Sequence, residues 1–162
     1  MNFQMNCLKL TIELIPATCW YNNLRKKIDK EVWMEIQKQC FKDAGYQCQI
    51  CESGESLHCH EVWEYDDIKR TQTLQGFKAL CSHCHMIKHI GFANIQASKG
   101  LLSMEALIAH FLKVNQVERP AFREHYDQCA QQWKKRSKHS WKTDFGKWEA
   151  LTQRQNKNSI YF

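Results

Sequence analysis

The stretch that decides the fold runs Cys48-Gln49-Ile50-Cys51, then Leu57-His58-Cys59-His60-Glu61-Val62-Trp63, then Leu80-Cys81-Ser82-His83-Cys84-His85-Met86-Ile87-Lys88-His89. Two Cys-x-x-Cys pairs let four sulfurs converge on one ion, the closed tetrahedral arrangement of structural zinc. Between Cys51 and Cys81 lie 29 residues, more than a simple four-cysteine ribbon needs and enough for a two-stranded excursion. The segment from Leu57 to Trp63 reads as a strand entering a turn at Tyr65-Asp66-Asp67. The segment from Cys84 to His89 reads as a short helix before Gly91, with His85 and His89 four apart on one face. A strand laid against that face brings His60 or Glu61 to the histidines. Incomplete protein ligation of this kind leaves room for water and substrate on a hydrolytic metal.

The remaining cysteines fit a different role. Nine cysteines are an odd number, and the apolar stretch 8–15 contains Lys9 and Glu13, too short and polar for a secretory leader or a membrane span. A reducing cytoplasm, with thiols on metal or buried as small apolar groups, is the expectation. Cys40 and Cys129 fall on apolar helix stripes. Cys59 points away from His58 and His60 on a strand. Cys7 and Cys19 have no partner at ligand spacing, and His58 and His83 read as surface or supporting residues.

Working outward, Leu8, Leu10, Ile12 and Leu14 alternate with polar residues and predict a strand over 8–15, ended by Pro16. Residues 19–25 have no period and read as loop. Asp29 caps a predicted helix to about Ala44, with Val32, Trp33, Ile36, Cys40 and Phe41 inward and Gly45 at its end. Ser103 caps another through Val114, facing Leu107, Ile108 and Phe111 inward. Pro120 opens a third, with Phe122, Tyr126, Cys129 and Trp133 as its stripe. Four blocks follow: 1–45 as strand and helix, 46–95 as the metal module, 100–150 as helices, and 151–162 as a frayed tail. The fold class is α+β.

The chain of 162 residues is 43% hydrophobic and has six tryptophans, enough for a packed core and unlike a disordered composition. Its formal charge is +6. Lys134, Lys135, Arg136, Lys138 and Lys142 supply five of those charges with no acid between them, so the remainder nets about +1. That run, expected along the last helix, suits an anionic partner through salt-sensitive attraction to a backbone of phosphates.

The order Cys-x-x-Cys, a His-bearing strand end, then Leu-Cys-x-x-Cys-His-x-x-x-His resembles the HNH endonucleases of the ββα-metal fold. The string CHEVWEYDD followed by ALCSHCHMIKHIGFA is similar to a branch of largely uncharacterised HNH proteins. The resemblance spans residues 17–95 and is specific over 48–93. It implies a zinc-stabilised ββα core and a divalent-metal nuclease that hydrolyses phosphodiesters, DNA first among them, leaving 5′-phosphate and 3′-hydroxyl ends. Aligned on Cys48, Cys51 and Leu57, the family's ligand position falls on His60 and its base position on Glu61. A shift of one residue makes His60 the base and Glu61 a ligand. This second assignment is preferred because a neutral imidazole is the better proton acceptor.

Under that reading, Cys48, Cys51, Cys81 and Cys84 hold zinc, while His85, His89 and Glu61 hold a catalytic ion such as Mg²⁺, Mn²⁺ or Ni²⁺. His60 takes the water's proton, and Lys88 with Lys134, Lys135, Arg136 and Lys138 contacts phosphates. The family's asparagine, five residues before Cys81, is Gly76 here, with Gln72 or Gln75 as substitutes. Two other functions fit the sequence: a zinc-stabilised nucleic-acid-binding module that has lost cleavage, and a zinc protein-interaction domain whose Trp-rich helices over 103–148 dock a partner. A homodimer would be needed to cut both strands symmetrically.

Overall fold

The computed structural model describes residues 8–153; Cys7 and the tail from 154 onward lie outside them. The class is mixed α+β with a small three-stranded sheet. Strand β1 (Leu57–Asp66) and strand β2 (Thr71–Cys81) form an antiparallel hairpin. Asp66 turns the chain by accepting the N–H groups of Ile68 and Lys69 on one carboxylate oxygen, the local bonding that suits aspartate to turns. His60 sits opposite Lys78 and Val62 opposite Gly76, and the register slips by a bulge between Val62 and Trp63.

Helix α1 (Lys30–Asp43) precedes the hairpin, with Trp33 and Cys40 buried and Gly45 in the left-handed region just past its end. Helix α2 (Ser82–Lys88) follows β2 without a linker, Cys81 being at once the last strand residue and the helix cap. The sequence predicts one short helix here. The chain instead bends at His89 and continues as α3 (Ile90–Ser98), which carries Gly91 inside it. Helix α4 (Met104–Asn115) is capped by Ser103, whose hydroxyl accepts the Ala106 N–H. Helix α5 (Arg119–Arg136) has Pro120 in its first turn, where a missing N–H costs nothing.

Two expectations at the chain's ends need correction. Residues 8–15 are extended and bury alternate residues, Leu10 and Ile12 among them, yet they form no strand. They add no strand to the sheet, although Glu13 reaches the edge strand β1 through His60. Their backbone is satisfied by other groups: Asn115 accepts the Leu10 N–H and donates to the Leu10 carbonyl, both at 2.9 Å. His125 Nε2 accepts the Ile12 N–H, and the Lys88 carbonyl accepts that of Glu13.

The helical expectation for the C-terminal region fails beyond Arg136. The chain turns there, and strand β3 (Lys142–Asp144) pairs in parallel with Thr71–Thr73 of β2. A four-residue helix α6 (Glu149–Thr152) follows. Trp141 pulls the chain back by donating its indole N–H to the Arg136 carbonyl.

Two apolar clusters hold these pieces together. One joins Leu10 and Ile12 to Ile50, Leu80, Ile87, Ile90, Leu107, Phe111 and Phe122. The other joins Leu24, Ile28 and Trp33 to Leu74 and Phe145. Both ends of the described stretch are thus built into the cores around the hairpin. Among the described residues no helix is long and apolar enough to cross a membrane.

The Asn115 clamp on Leu10 gives a direct test. Asn115→Ala leaves a buried N–H and carbonyl without partners, which costs about 1–3 kcal/mol. Chemical denaturation should show that loss, and an unchanged midpoint would mean that the segment is held by its apolar side chains alone.

Candidate metal centre

Four sulfurs meet where the hairpin closes. Cys48 and Cys51 lie in the turns before β1, Cys81 ends β2 and Cys84 sits in the first turn of α2. One ligand atom from each lies within 4.8 Å of every other, and the four are close enough to hold a metal ion. Cys51 Sγ and Cys81 Sγ are 3.5 Å apart, near the roughly 3.8 Å spacing that bonds of about 2.3 Å impose on a tetrahedral zinc site. Cys48, Cys81 and Cys84 are buried.

The chemistry of these donors fits a cation. Burial opposes ionisation of Cys48, but backbone N–H groups from Cys51, Cys81 and Ile50 outweigh it and bring the thiol down to about 7. Burial and the neighbouring sulfurs push Cys81 up to about 11, and Cys84 is raised further still. One thiolate is readily formed and Cys81 and Cys84 resist ionisation beside it, so four thiolates can share this space only around a positive ion. His110 of α4 also reaches the cluster, with Nε2 3.2 Å from Cys84 Sγ. Nothing in its spacing from the cysteines signals that contact.

A second group lies along α2. His60, His85 and His89 bring one ring nitrogen each within 4.8 Å of the others, with ring centroids 4.8 to 5.5 Å apart. Alternation along β1 sends His60 to one face and Cys59 and Glu61 to the other. Four-residue spacing puts His85 and His89 together on α2. Burial, reinforced by the adjacent imidazoles, lowers His85 to about 3 and His89 to about 4. Both rings are therefore neutral at physiological pH and offer lone pairs to a metal.

His60 is oriented by a residue that the sequence reading passed over. Glu13 Oε2 lies 2.8 Å from His60 Nε2, and Glu13 Oε1 lies 2.7 Å from Lys88 Nζ. Burial opposes the Glu13 charge, but the bond from His60 and the Lys88 ammonium prevail and hold its carboxyl at about 2. An ionised carboxylate only accepts, so His60 Nε2 donates this hydrogen bond and Nδ1 is the ring nitrogen left to face a metal. That Nδ1 is buried and has no hydrogen-bond partner among the described residues. A buried, unpartnered ring nitrogen beside two neutral imidazoles suits the donor set of an open three-histidine site. Only a fold that docks residue 13 on α2 could reveal the role of Glu13.

Several expected residues are placed elsewhere. Glu61 accepts the backbone N–H groups of Leu24 and Arg25 and the indole N–H of Trp63. It closes a turn of 3₁₀ helix and is not grouped with the histidines, which corrects its assignment as a metal ligand. Lys88 is buried, bound to Thr11 and Glu13, and so is not free to meet phosphate.

Neither glutamine is free to stand in for the asparagine of the HNH pattern. Gln72 donates to Asn22 and Thr143, and Gln75 to Glu64. Gly76 sits beside the bulge with Trp148 nearby.

The basic run is broken as a surface. Arg136 forms a two-point ion pair with Asp67 and lies over the ring of Tyr65, while Lys134 and Lys135 end α5 and Lys138 lies past it. His58 stacks on His85 with ring centroids 4.9 Å apart, and His83 approaches His110. Cys59 joins the second apolar cluster, as its strand parity requires.

Cys81→Ser should release the sulfur-bound metal and unfold the hairpin and α2. Metal content and circular dichroism read this directly, and a stable, metal-free wild type would overturn the cysteine site. Comparison of the chain with protein-family models, with curated proteins and with solved structures finds no match.

Proposed function

We propose that the protein is a metal-dependent phosphodiester hydrolase of the HNH type, acting on nucleic acid at the His60, His85 and His89 cluster. The observation that carries this reading is three imidazole nitrogens within 4.8 Å of one another, on a strand–strand–helix unit closed by four cysteines. On this reading the cysteines hold zinc. A divalent cation on the imidazoles would bring a bound water's pKa toward neutrality and draw charge from a phosphoryl oxygen.

His60 is better cast as a ligand than as the base. Its ring is 3% exposed, so a water on the substrate side has no path to its nitrogen. The Glu13 bond is the carboxylate–histidine pairing that fixes the ring angle and basicity of metal-binding imidazoles. With Glu61 closing the turn at Leu24, the ligand set has no carboxylate. Three neutral nitrogens favour zinc, nickel or a similar transition ion over Mg²⁺, which selects oxygen ligands. His85 and His89 border an open groove through which substrate reaches the site. Arg25 lines the same groove and can pair with a phosphate through its planar fork.

Glu61's engagement also favours a second reading, a nucleic-acid-binding module without cleavage. Supercoiled plasmid and circular single-stranded DNA, each incubated with Zn²⁺, Ni²⁺, Mn²⁺ or Mg²⁺, separate the two. Wild type should nick with a transition ion, and His85→Ala should fall by about a hundredfold or more, a loss on the scale of metal-assisted catalysis. No product with any ion, from folded protein carrying both metals, would leave the binding module.

The role of His60 is tested by metal content. His60→Ala should lose the second metal equivalent while keeping the cysteine-bound one; retention of both would return His60 to the part of base. Glu13→Gln keeps an acceptor for Lys88 but removes its counter-charge, so it should cost some stability and weaken the second ion's affinity by about 10–100-fold, the usual effect of removing a ligand's outer partner; circular dichroism checks that the variant is folded. Isothermal titration with Zn²⁺ reads it, and an unchanged affinity would remove Glu13 from the site.

A further inference from the structure

The groove beside the histidines has a volume of about 890 Å³, and most of its wall is apolar. Trp20 and Phe92 are each 50% exposed there and Ile95 is 41% exposed, an unusual concentration of large apolar side chains beside a polar site. The tryptophans are held in place. Trp20 and Trp133 both donate their indole N–H to the Ile15 carbonyl, at 3.1 and 2.9 Å, so Trp20 keeps a half-exposed ring without freedom to turn away. Arg25 and Lys134 are the cations in this wall.

We infer that the groove receives an unpaired polynucleotide strand, with bases stacked on Trp20 and Phe92 and phosphates paired with Arg25 and Lys134. This rests on the hydrolase reading and adds the substrate class. An intact duplex presents phosphates and hides its base faces, so it calls for a broad cationic surface. Here the basic run is interrupted, with Arg136 paired to Asp67, and what faces outward next to His85 is aromatic. Splayed bases supply the flat apolar faces such a wall can hold, and the same strand supplies phosphates for the two cations. Stacking tolerates any base, so the groove selects strandedness rather than sequence.

Fluorescence anisotropy with full-length His85→Ala protein, which prevents turnover, tests this against labelled single-stranded DNA, RNA of the same sequence and the annealed DNA duplex. A single strand should bind about tenfold tighter than duplex, and Phe92→Ala or Trp20→Ala should each weaken that binding by about tenfold, the scale of one lost base stack. The DNA and RNA arms tell which polymer is preferred. Phe92→Ala lies on an exposed helix position, and circular dichroism with metal content confirms that each variant is folded.

Duplex bound as tightly as single strand, or folded aromatic variants that bind like the parent, would overturn the inference and leave the hydrolase reading standing if plasmid is still nicked. Affinity for no polynucleotide would overturn both. Binding of an apolar dye alone would then assign the groove to an apolar ligand.

Discussion

Everything near the histidines depends on four sulfurs being able to occupy one small volume. Cys81 closes β2, caps α2 and contributes a thiol, all with a single residue. Its partners reach back to the turns before β1 and forward to the first turn of α2. A cation at that point would tie both ends of the hairpin to the start of a helix of only seven residues, a length that is marginal in water without tertiary support. The helix so anchored carries His85 and His89 toward the strand that carries His60. The sulfur site thereby sets the direction of the nitrogen site.

The two sites differ in how they handle charge. At the sulfurs, thiolates repel one another and require a positive ion. At the histidines, burial keeps His85 and His89 neutral and the charged groups sit one layer out, where Glu13 lies between the Lys88 ammonium and the His60 ring. Lys88 is thus a counter-ion inside the fold. Its burial is tolerable because the Glu13 carboxylate and the Thr11 hydroxyl both meet its ammonium group.

Local patterns in the sequence carried much of this. Cys-x-x-Cys spacing, the hairpin turn at Asp66, the Ser103 cap and the His85/His89 pairing are each set by a few neighbouring residues, and each is found where its pattern predicts. What the pattern could not convey is where long-range partners come from. Residues 8–15 alternate like a strand because their inner side is buried, but alternation says nothing about whether a sheet edge or helix side chains satisfy the backbone. Glu61 adjoins His60 in the chain yet faces the other way, while Glu13, 47 positions distant, meets it. The basic run looks continuous in sequence, yet a single aspartate in the hairpin turn takes Arg136 out of it.

The side-chain clamp on the N-terminal segment also governs when the site can come into being. Leu10 and Ile12 leave the ribosome early, but the side chains that hold them lie 105 and 113 residues further along. Lys88 bonds Thr11 and Glu13 from a nearer part of the chain, but the clamps on Leu10 and Ile12 come only with α4 and α5. The cysteine cluster closes within a much shorter stretch of chain. Synthesis therefore passes through a stage in which the cysteine scaffold can close while the segment that carries Glu13 still lacks its clamps from α4 and α5.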